Sequence, residues 1–257
     1  MADVTLTYKG STIAEMNNSG TKTLKTSGKY CEGDIGVSYV KPSSGGSGFW
    51  DEDTVRKMIK RGSYSVNTIT LPSGLTEIGN YAFAYCIKLN LTSLPEECTK
   101  IGDSAFYNCR EISLTSLPPN LTYIGDDAFR LCQKLQLSSL PSGLTTLGIY
   151  AFGSCSKISL TSLPIGITTL SRYVFDNCTS LKNMELHENI TEIEFCAFND
   201  CTGLTSVTFK GTPTSISSYT FKNCHNLTDI YVPWAEGAVA DAPWGATNAT
   251  IHYNTTT

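Results

Sequence analysis

A 23-residue period is the feature that most constrains how this chain can fold. Phenylalanine recurs seven times at this interval, and a cysteine follows each phenylalanine by three residues. The phenylalanines are Phe83, Phe106, Phe129, Phe152, Phe175, Phe198 and Phe221, and the cysteines are Cys86, Cys109, Cys132, Cys155, Cys178, Cys201 and Cys224. A unit this small cannot bury an apolar face alone, so neighbouring units must stack and share a core. The sequence therefore predicts a solenoid.

Two aliphatic columns run in phase with the phenylalanines. One lies five residues before each phenylalanine, as at Ile101 and Ile124, and the other lies six residues after it, as at Ile112 and Leu135. A period of 23 falls within the roughly 20 to 29 residues of leucine-rich repeats and below the ~33 residues of ankyrin repeats. We therefore expect a solenoid of the leucine-rich repeat type.

Each unit also predicts a short helix followed by a short strand. Gly and then Asn or Asp precede the phenylalanine in the early units, as at Gly102 and Asp103, and such a polar residue commonly caps a helix N-terminus. Because stacked strands lie about 4.8 Å apart and packed helices about 8 to 10 Å apart, the stack should bend with its strands on the inner face. The predicted fold class is an α/β solenoid with a small amino-terminal β module.

The predicted strands come in two forms. In three late units the apolar residues fall six and eight places after the cysteine, as at Met184 and Leu186. In four middle units they fall five and eight places after it, as at Leu114 and Leu117. We expect the strand position or twist to change where the two forms meet, near residues 63–94 and 180–186.

The composition of the flanks predicts the domain organisation. Residues 42–48 have the Gly and Ser content of a flexible linker, and residues 49–62 have the charge pattern of a helix that caps the first coil. Residues 1–41 alternate as short strands do but are too few for a comfortable core, so we expect an attachment or oligomerisation module. Residues 234–257 break the period and are expected to form a carboxy-terminal cap with a last strand near 250–253.

The repeat resembles a known family. The pattern Leu-Thr-x-Ile-Gly-x-x-Ala-Phe-x-x-Cys-x-x-Leu at residues 121–135 closely resembles the BspA-type leucine-rich repeat of bacterial and protist surface proteins, and the resemblance extends over residues 63–233. It implies recognition, adhesion or host contact rather than catalysis.

A second resemblance concerns the amino terminus. Residues 6–14 and 28–35 are similar to small modules of tail-associated proteins from phages and prophages of Gram-positive gut bacteria. The leading hypothesis is therefore a phage or prophage tail-associated virion protein, assembled in the host cytoplasm, that presents its repeats to a host or mucosal target. The sequence starts without a secretion signal, which a virion protein released by lysis does not need. The alternatives are a bacterial cell-surface adhesin of the BspA type and an intracellular scaffold.

Charge and composition argue against several other classes. The 19 basic and 23 acidic residues give a net charge of −4, so no nucleic-acid partner is expected. No uncharged apolar stretch reaches the ~18 residues that a bilayer requires, so no membrane insertion is expected. The chain has no CxxC pair, and its three histidines fall at unrelated phases of the repeat. We expect no enzyme, no catalytic residues, no metal and no cofactor.

The cysteines are expected to be buried, reduced thiols. On helices about 8 to 10 Å apart, consecutive cysteines would exceed the ~7 Å between Cα atoms that a disulfide tolerates. Cys31, Cys98 and Cys196 lie outside the repeating column, so only these three are candidates for reactive thiols, although a structural role is favoured for them too.

The strands of the late units supply the candidate ligand-binding residues. Side chains between the buried aliphatics are displayed on the strand face, and in the late units they combine an aromatic ring with acidic and polar groups suited to a sugar or a peptide edge. These residues are Asn183, Glu185, Ser206, Thr208, Asp229 and Tyr231. The middle units instead display a nearly uniform set of hydroxyl and amide groups: Asn90, Thr92, Ser113, Thr115, Gln136, Ser138, Ser159 and Thr161.

An inert, solvated face is the alternative interpretation for both sets, because Ser and Thr also favour strands. The expected partners are a host-surface protein or glycan at the strand face. Residues 1–41 are expected to bind other virion proteins or a second copy of the chain.

Overall fold

A computed structural model gives the fold. It describes the backbone of residues 2–8, 11–17, 22–24, 35–39, 66–71 and 75–255, and the side chains of residues 71 and 75–255. The predicted linker at 42–48 and the predicted cap helix at 49–62 lie outside the described residues.

The first five strands form one sheet. They are β1 (Ala2–Tyr8), β2 (Ser11–Asn17), β3 (Lys22–Leu24), β4 (Ile35–Tyr39) and β5 (Val66–Thr70), in the order β3-β2-β1-β4-β5. The pairs among β1 to β4 are antiparallel, whereas β4 and β5 pair in parallel, with Ile35 opposite Val66. A segment that the sequence assigns to the start of the repeats thus hydrogen-bonds to a strand from the amino-terminal region.

Two-residue strands mark the start of each coil of the repeat array. They are β6 (Glu77–Ile78), β7 (Lys100–Ile101), β8 (Tyr123–Ile124) and β9 (Thr146–Leu147) in one parallel sheet, and β10 (Thr169–Leu170), β12 (Glu192–Ile193) and β14 (Ser215–Ile216) in another. Within each of these two sheets, a strand pairs in parallel with its equivalent 23 residues away, as Ile101 does with Ile124. The aliphatic residue of every strand is buried, so this column forms one wall of the core.

A third parallel sheet is confined to the late coils, and we call it the late sheet. It consists of β11 (Asn183–Leu186), β13 (Ser206–Phe209), β15 (Asp229–Tyr231) and β16 (Thr250–His252), in that order. Alternate residues of β11 and β13 are buried, as a strand with one face in the core requires. The last strand, β16, lies where the sequence predicts one.

The middle coils do not form strands at the equivalent place, so the predicted middle strands are wrong. Neighbouring coils there share single hydrogen bonds, such as the amide of Gln136 to the Leu114 carbonyl at 3.0 Å. Their buried leucines are three residues apart, as at Leu114 and Leu117. A strand turns alternate side chains to one face, so two inward residues at this spacing require the backbone to twist out of strand geometry. The predicted change near residues 180–186 is confirmed, because the first strand of the late sheet, β11, begins there.

The predicted helix in each coil is also wrong, and with it the α/β class: the described part of the chain contains no helix. The segment that carries Phe106 and Cys109 is a run of turns. Along it, every second backbone amide donates to a carbonyl of its own coil, and the amides between them donate to carbonyls of the next coil. The amides of Ser104, Phe106 and Asn108 donate to carbonyls of the following coil at 2.7, 2.8 and 2.8 Å. An α-helix would use each amide inside its own segment. Ser104 and Asn108 have φ of 52° and 60°, which the right-handed helix forbids.

The Asn or Asp before each early phenylalanine has a different role from the predicted helix cap. The Oδ1 atom of Asn80 accepts the Asp103 amide at 2.8 Å, Asp103 accepts the Asp126 amide at 3.1 Å, and Asp126 accepts the Ile149 amide at 2.7 Å. These side chains therefore join one coil to the next.

The core is a stack of aromatic rings. Phe106, Phe129, Phe152, Phe175, Phe198 and Phe221 are fully buried. Successive ring centroids, starting from the half-buried Phe83, are 5.3 to 5.9 Å apart. This spacing is far below the predicted 8 to 10 Å between helices. The expected bend depended on that wider spacing, so its physical basis is lost.

Candidate ligand-binding surface

The late sheet, formed by β11, β13, β15 and β16, brings all six predicted binding residues together. Parallel register places Asn183, Ser206 and Asp229 in one row, and Glu185, Thr208 and Tyr231 in a second row two residues along. Strand β16 extends both rows, with Thr250 beside Asp229 and His252 beside Tyr231. We call this surface the strand face. The structure thus supports the predicted placement of the six side chains, while their role in binding stays a prediction.

Polar contacts hold the first two strands of the strand face. The Oδ1 atom of Asn183 accepts hydrogen bonds from the hydroxyls of Thr205 and Ser206, at 2.9 and 3.0 Å. Glu185 lies 3.3 Å from the ammonium of Lys210, and this pair is partly exposed. Each strand therefore presents a side chain whose orientation is fixed by a neighbour.

The other end of the strand face is built around His252. Its Nε2 atom lies 2.8 Å from Asp229, whose other oxygen accepts the Thr228 hydroxyl at 2.7 Å. Hydrogen bonding to His252 is the main cause that lowers the pKa of Asp229, and the bond from Thr228 adds to it. The Tyr231 ring stacks on the imidazole with centroids 4.5 Å apart and planes 13° apart.

Sequence reasoning did not find His252 or Lys210. The 23-residue period ends near Pro233, so it could not be extended to align β16 with β15. The alternation of Thr250, Ile251 and His252 is a signal that could have placed the histidine on the exposed side of a last strand.

The middle hydroxyl set satisfies part of its own hydrogen bonding. The Ser113 hydroxyl donates to Asn90 at 3.2 Å, and both side chains project from neighbouring coils. The described segments that carry this set form no paired strands, so their side chains lack the parallel register of the strand face.

A row of aromatic side chains on the turn segments was also missed. It consists of Tyr150, Tyr173, Phe195 and Tyr219, and we call it the aromatic row. Tyr150 stacks on Tyr173 with centroids 4.4 Å apart, while Tyr173 and Phe195, and Phe195 and Tyr219, meet edge to face at 5.6 and 5.5 Å. Phe195 and Tyr219 are 40% and 48% exposed.

Cations lie at both ends of the aromatic row. The guanidinium carbon of Arg130 is 3.8 Å from the centre of the Tyr150 ring, and the ammonium of Lys222 is 5.7 Å from that of Tyr219. Three of the tyrosines recur in phase at positions 150, 173 and 219, which is a signal that could have revealed the row. The helix prediction did not place Phe195 in the row, because Phe195 lies one residue off this phase and consecutive residues of a helix point about 100° apart.

The cysteines of the described residues are free thiols, and all are buried. Each repeating thiol from Cys109 onward donates to the carbonyl of the phenylalanine one coil back, as Cys132 does to Phe106 at 3.1 Å. Burial raises the pKa of Cys86 to about 12 and raises that of Cys132 well above its usual value.

The two described cysteines outside the column are buried as well. Burial is the main cause that raises the pKa of both Cys98 and Cys196. Cys98 donates to the Lys100 carbonyl at 3.4 Å, and Cys196 hydrogen-bonds with the Tyr173 side chain. Cys31 lies outside the described residues.

Neither a metal-binding cluster nor a membrane-spanning helix occurs among the described residues. No three or more His, Cys, Asp or Glu side chains in this part of the chain come together as a metal site would require. None of its segments forms a helix of the length and hydropathy needed to cross a bilayer.

Comparison with solved structures gives the same fold. A leucine rich cell surface protein from Faecalibacterium prausnitzii A2-165 superposes with a TM-score of 0.59 at 19% identity, over 85% of this chain and 68% of that one. A leucine rich repeat protein of T. pallidum superposes with a TM-score of 0.53 at 22% identity, over 75% of this chain and 82% of that one. Among curated proteins no significant match is found.

The sequence itself matches a family profile over most of its length. The BspA type leucine rich repeat region matches with six copies, over residues 58–181 and 150–236. The matched stretch contains the phenylalanine stack, the repeating cysteines and strands β5 to β15. This chain therefore belongs to the BspA-type leucine-rich repeat family.

Proposed function

We propose that this protein is a non-enzymatic recognition module of a bacterial cell surface, and that its strand face binds a host-surface protein or glycan. The observation that supports it best is the in-register display of Glu185, Thr208 and Tyr231 beside His252 on one sheet. A solenoid of stacked coils offers such a regular surface without needing a pocket.

The comparisons favour the surface adhesin over the tail-associated protein. The family match lies in the repeats, and one structural neighbour is itself described as a cell surface protein. Neither comparison gives support to the phage-like resemblance at residues 6–14 and 28–35. In this proposal residues 1–41 serve as the attachment or oligomerisation element.

The location can be tested directly. Antibody labelling of intact producing cells should detect the protein at the surface, and mass spectrometry of purified phage particles should not detect it. Its recovery as a stoichiometric virion component, without surface labelling, would reject the surface location in favour of the tail-associated one.

The strand face has features that favour binding over inert solvation. The contacts of Asp229 with His252 and of Glu185 with Lys210 hold charged groups in place before a ligand arrives. Such preorganisation lowers the entropic cost of association. The Tyr231 ring adds an amphipathic surface between these charges.

The binding test uses the full chain and two matched double variants. Glu185→Ala with Tyr231→Ala should abolish binding to mucin-coated surfaces or epithelial cells and leave the melting temperature nearly unchanged, because neither side chain is buried in the core. Thr115→Ala with Gln136→Ala, on exposed positions of the middle coils, is the control and should bind normally. Equal binding by both variants and the unmodified protein would exclude the strand face.

A further inference from the structure

The aromatic row is unusual because it exposes rings where the repeat has polar alternatives. Tyr150, Tyr173 and Tyr219 occupy a position that holds Ser104 and Asp127 in two middle coils. Phe195 occupies the repeat position of Asp126, whose carboxylate accepts the Ile149 amide from the next coil. The core does not need these rings, since Phe195 and Tyr219 remain 40% and 48% exposed.

The backbone at two of these positions opposes a bulky side chain. Tyr150 and Tyr173 have φ of 54° and 57°, in the left-handed region. This conformation costs a non-glycine residue roughly 1–2 kcal/mol, and Asn or Asp adopts it more readily. Other residues of this column share the conformation, as Ser104 and Asp127 do. Tyrosine in place of Asn or Asp, with a ring that is only partly buried, therefore favours a role beyond folding.

Polar side chains run along the aromatic row. The Asn199 amide donates to Asp176 at 2.6 Å and to Asp200 at 2.7 Å, which fixes both carboxylates. Asp176 is close enough to Tyr150 to add to the rise in the pKa of that phenol, which is caused mainly by burial. Each carboxylate has two oxygens with about four acceptor positions in all, so both can accept hydroxyl groups in addition to the Asn199 amide.

The charges around the row are nearly balanced. Arg130 pairs with Asp127 at 3.0 Å, and Arg172 lies 3.8 Å from Glu194. Lys222, Asp176 and Asp200 also lie near the row. This arrangement offers no strong attraction to an acidic or a basic partner, so it fits an uncharged ligand.

From these observations we propose that the aromatic row binds a neutral, extended polysaccharide that runs from coil to coil. The apolar C–H faces of successive sugar rings contact the outward edges of Tyr150 and Tyr173 and the exposed parts of Phe195 and Tyr219. The sugar hydroxyls donate to Asp176 and Asp200. One aromatic ring per coil matches a polymer with one ring per monosaccharide. A proline-rich peptide also stacks on aromatic rings but has no hydroxyls for the two carboxylates, so the glycan is the better fit.

The experiment measures retardation of the full chain in native gels cast with neutral polysaccharides. The probes are xylan, mixed-linkage β-glucan and galactomannan, with heparin as an acidic polymer and a proline-rich peptide as the competing ligand class. The test variant combines Phe195→Asp and Tyr219→Ser, residue types that the repeat already uses at the same positions. The control is Tyr85→Asn, which removes a 52% exposed tyrosine outside the row in the same way.

The proposal expects at least one neutral polysaccharide to bind the unmodified protein and the Tyr85→Asn variant equally, and the double variant at least tenfold more weakly. Absence of binding to all three polysaccharides, or equal binding by the double variant, would overturn it. Binding of heparin or of the peptide alone would also overturn it.

Tyr231→Ala separates this inference from the proposed function. Full polysaccharide binding by Tyr231→Ala supports a site on the aromatic row, distinct from the strand face. Loss of polysaccharide binding in Tyr231→Ala, with normal binding by the double variant, would assign the glycan to the strand face and reject the aromatic row.

Discussion

At the scale of single residues, the cysteine and phenylalanine columns are coupled through a shared carbonyl. The Phe106 carbonyl accepts the Cys109 amide at 3.1 Å from its own coil and the Cys132 thiol at 3.1 Å from the next coil. A buried carbonyl thereby satisfies both of its lone pairs. Cysteine suits this position because it is small and apolar and still provides a weak donor.

The thiols of this column should resist alkylation in the native protein. Burial raises the pKa of Cys109, Cys132 and Cys178, and only the thiolate reacts rapidly. Mass spectrometry after treatment with a thiol reagent should show no modification of these residues at pH 7 and complete modification in denaturant. Rapid labelling of Cys132 under native conditions would contradict the buried thiol ladder.

Phe129 should be one of the most important residues for stability. It is fully buried between Phe106 and Phe152, with ring centroids 5.3 and 5.7 Å away. Phe129→Ala should therefore lower the free energy of unfolding by about 3 to 5 kcal/mol, because the lost ring leaves a cavity between two coils. Chemical denaturation measures this change. A loss below ~1 kcal/mol would mean that the ring does not support its neighbours.

At the scale of the element, the turn segment depends on close approach between coils. A Cβ atom added at Gly125 would lie 2.7 Å from the Asp103 amide nitrogen and 2.9 Å from the Gly102 carbonyl carbon. Both contacts are with backbone, so no side-chain movement relieves them. Glycine is thus required here by the stacking distance.

Substitution of two glycines in the same column tests this account. Gly125→Ala should destabilise the protein by roughly 1 to 3 kcal/mol, as overpacking of a tight interior does. Gly79→Ala should have little effect, since no atom of the described residues lies within 4 Å of the added Cβ. Thermal unfolding of both variants provides the comparison, and equal melting temperatures would show that the coils can move apart without cost.

The spacing of residues predicted the columns of this element but not its backbone. Phe106, Cys109 and Ile112 are buried as the 23-residue period indicates. The helix prediction failed because small polar residues such as Ser104 and Asn108 favour both helix caps and left-handed turns. The sequence does not state which amides bond to the next coil, and those bonds decide between the two structures.

In the candidate sites, too, the residue pattern predicted some features, while others depended on backbone geometry. Simple alternation along β11, β13 and β15 predicted the six strand-face residues. The contact of His252 with Asp229 depends on how the last strand aligns after the period ends. Three tyrosines of the aromatic row recur in phase, but the contacts of Phe195, one residue off that phase, depend on the turn geometry.

At the scale of the whole molecule, the buried thiols act together on stability. Burial raises the pKa of Cys86, Cys109, Cys132, Cys155, Cys178 and Cys201. In the unfolded chain a thiol ionises near pH 8.5, whereas these thiols stay protonated in the fold. Their contribution is complete below that pH and is lost as the pH rises towards the raised native values.

The free energy of unfolding should therefore fall steeply above about pH 8.5. Each buried thiol contributes a slope of about 1.4 kcal/mol per pH unit, because the unfolded state has lost a proton that the native state retains. Denaturant titrations between pH 7 and 10 should show this decline, and Cys109→Ala should make the slope shallower by one thiol. Constant stability over this range would contradict the prediction.

The hydrogen bonds between coils have a mechanical consequence. Nearly all of them join residues one coil apart, as the Phe129 amide joins the Ala151 carbonyl. Tension applied at the carboxy terminus would load the bonds of the last coil alone, so coils should detach one after another. Each detached coil of 23 residues releases roughly 75 to 80 Å of extended chain. Under shear, an array built in this way would lengthen stepwise, and each step would relieve part of the tension along the chain.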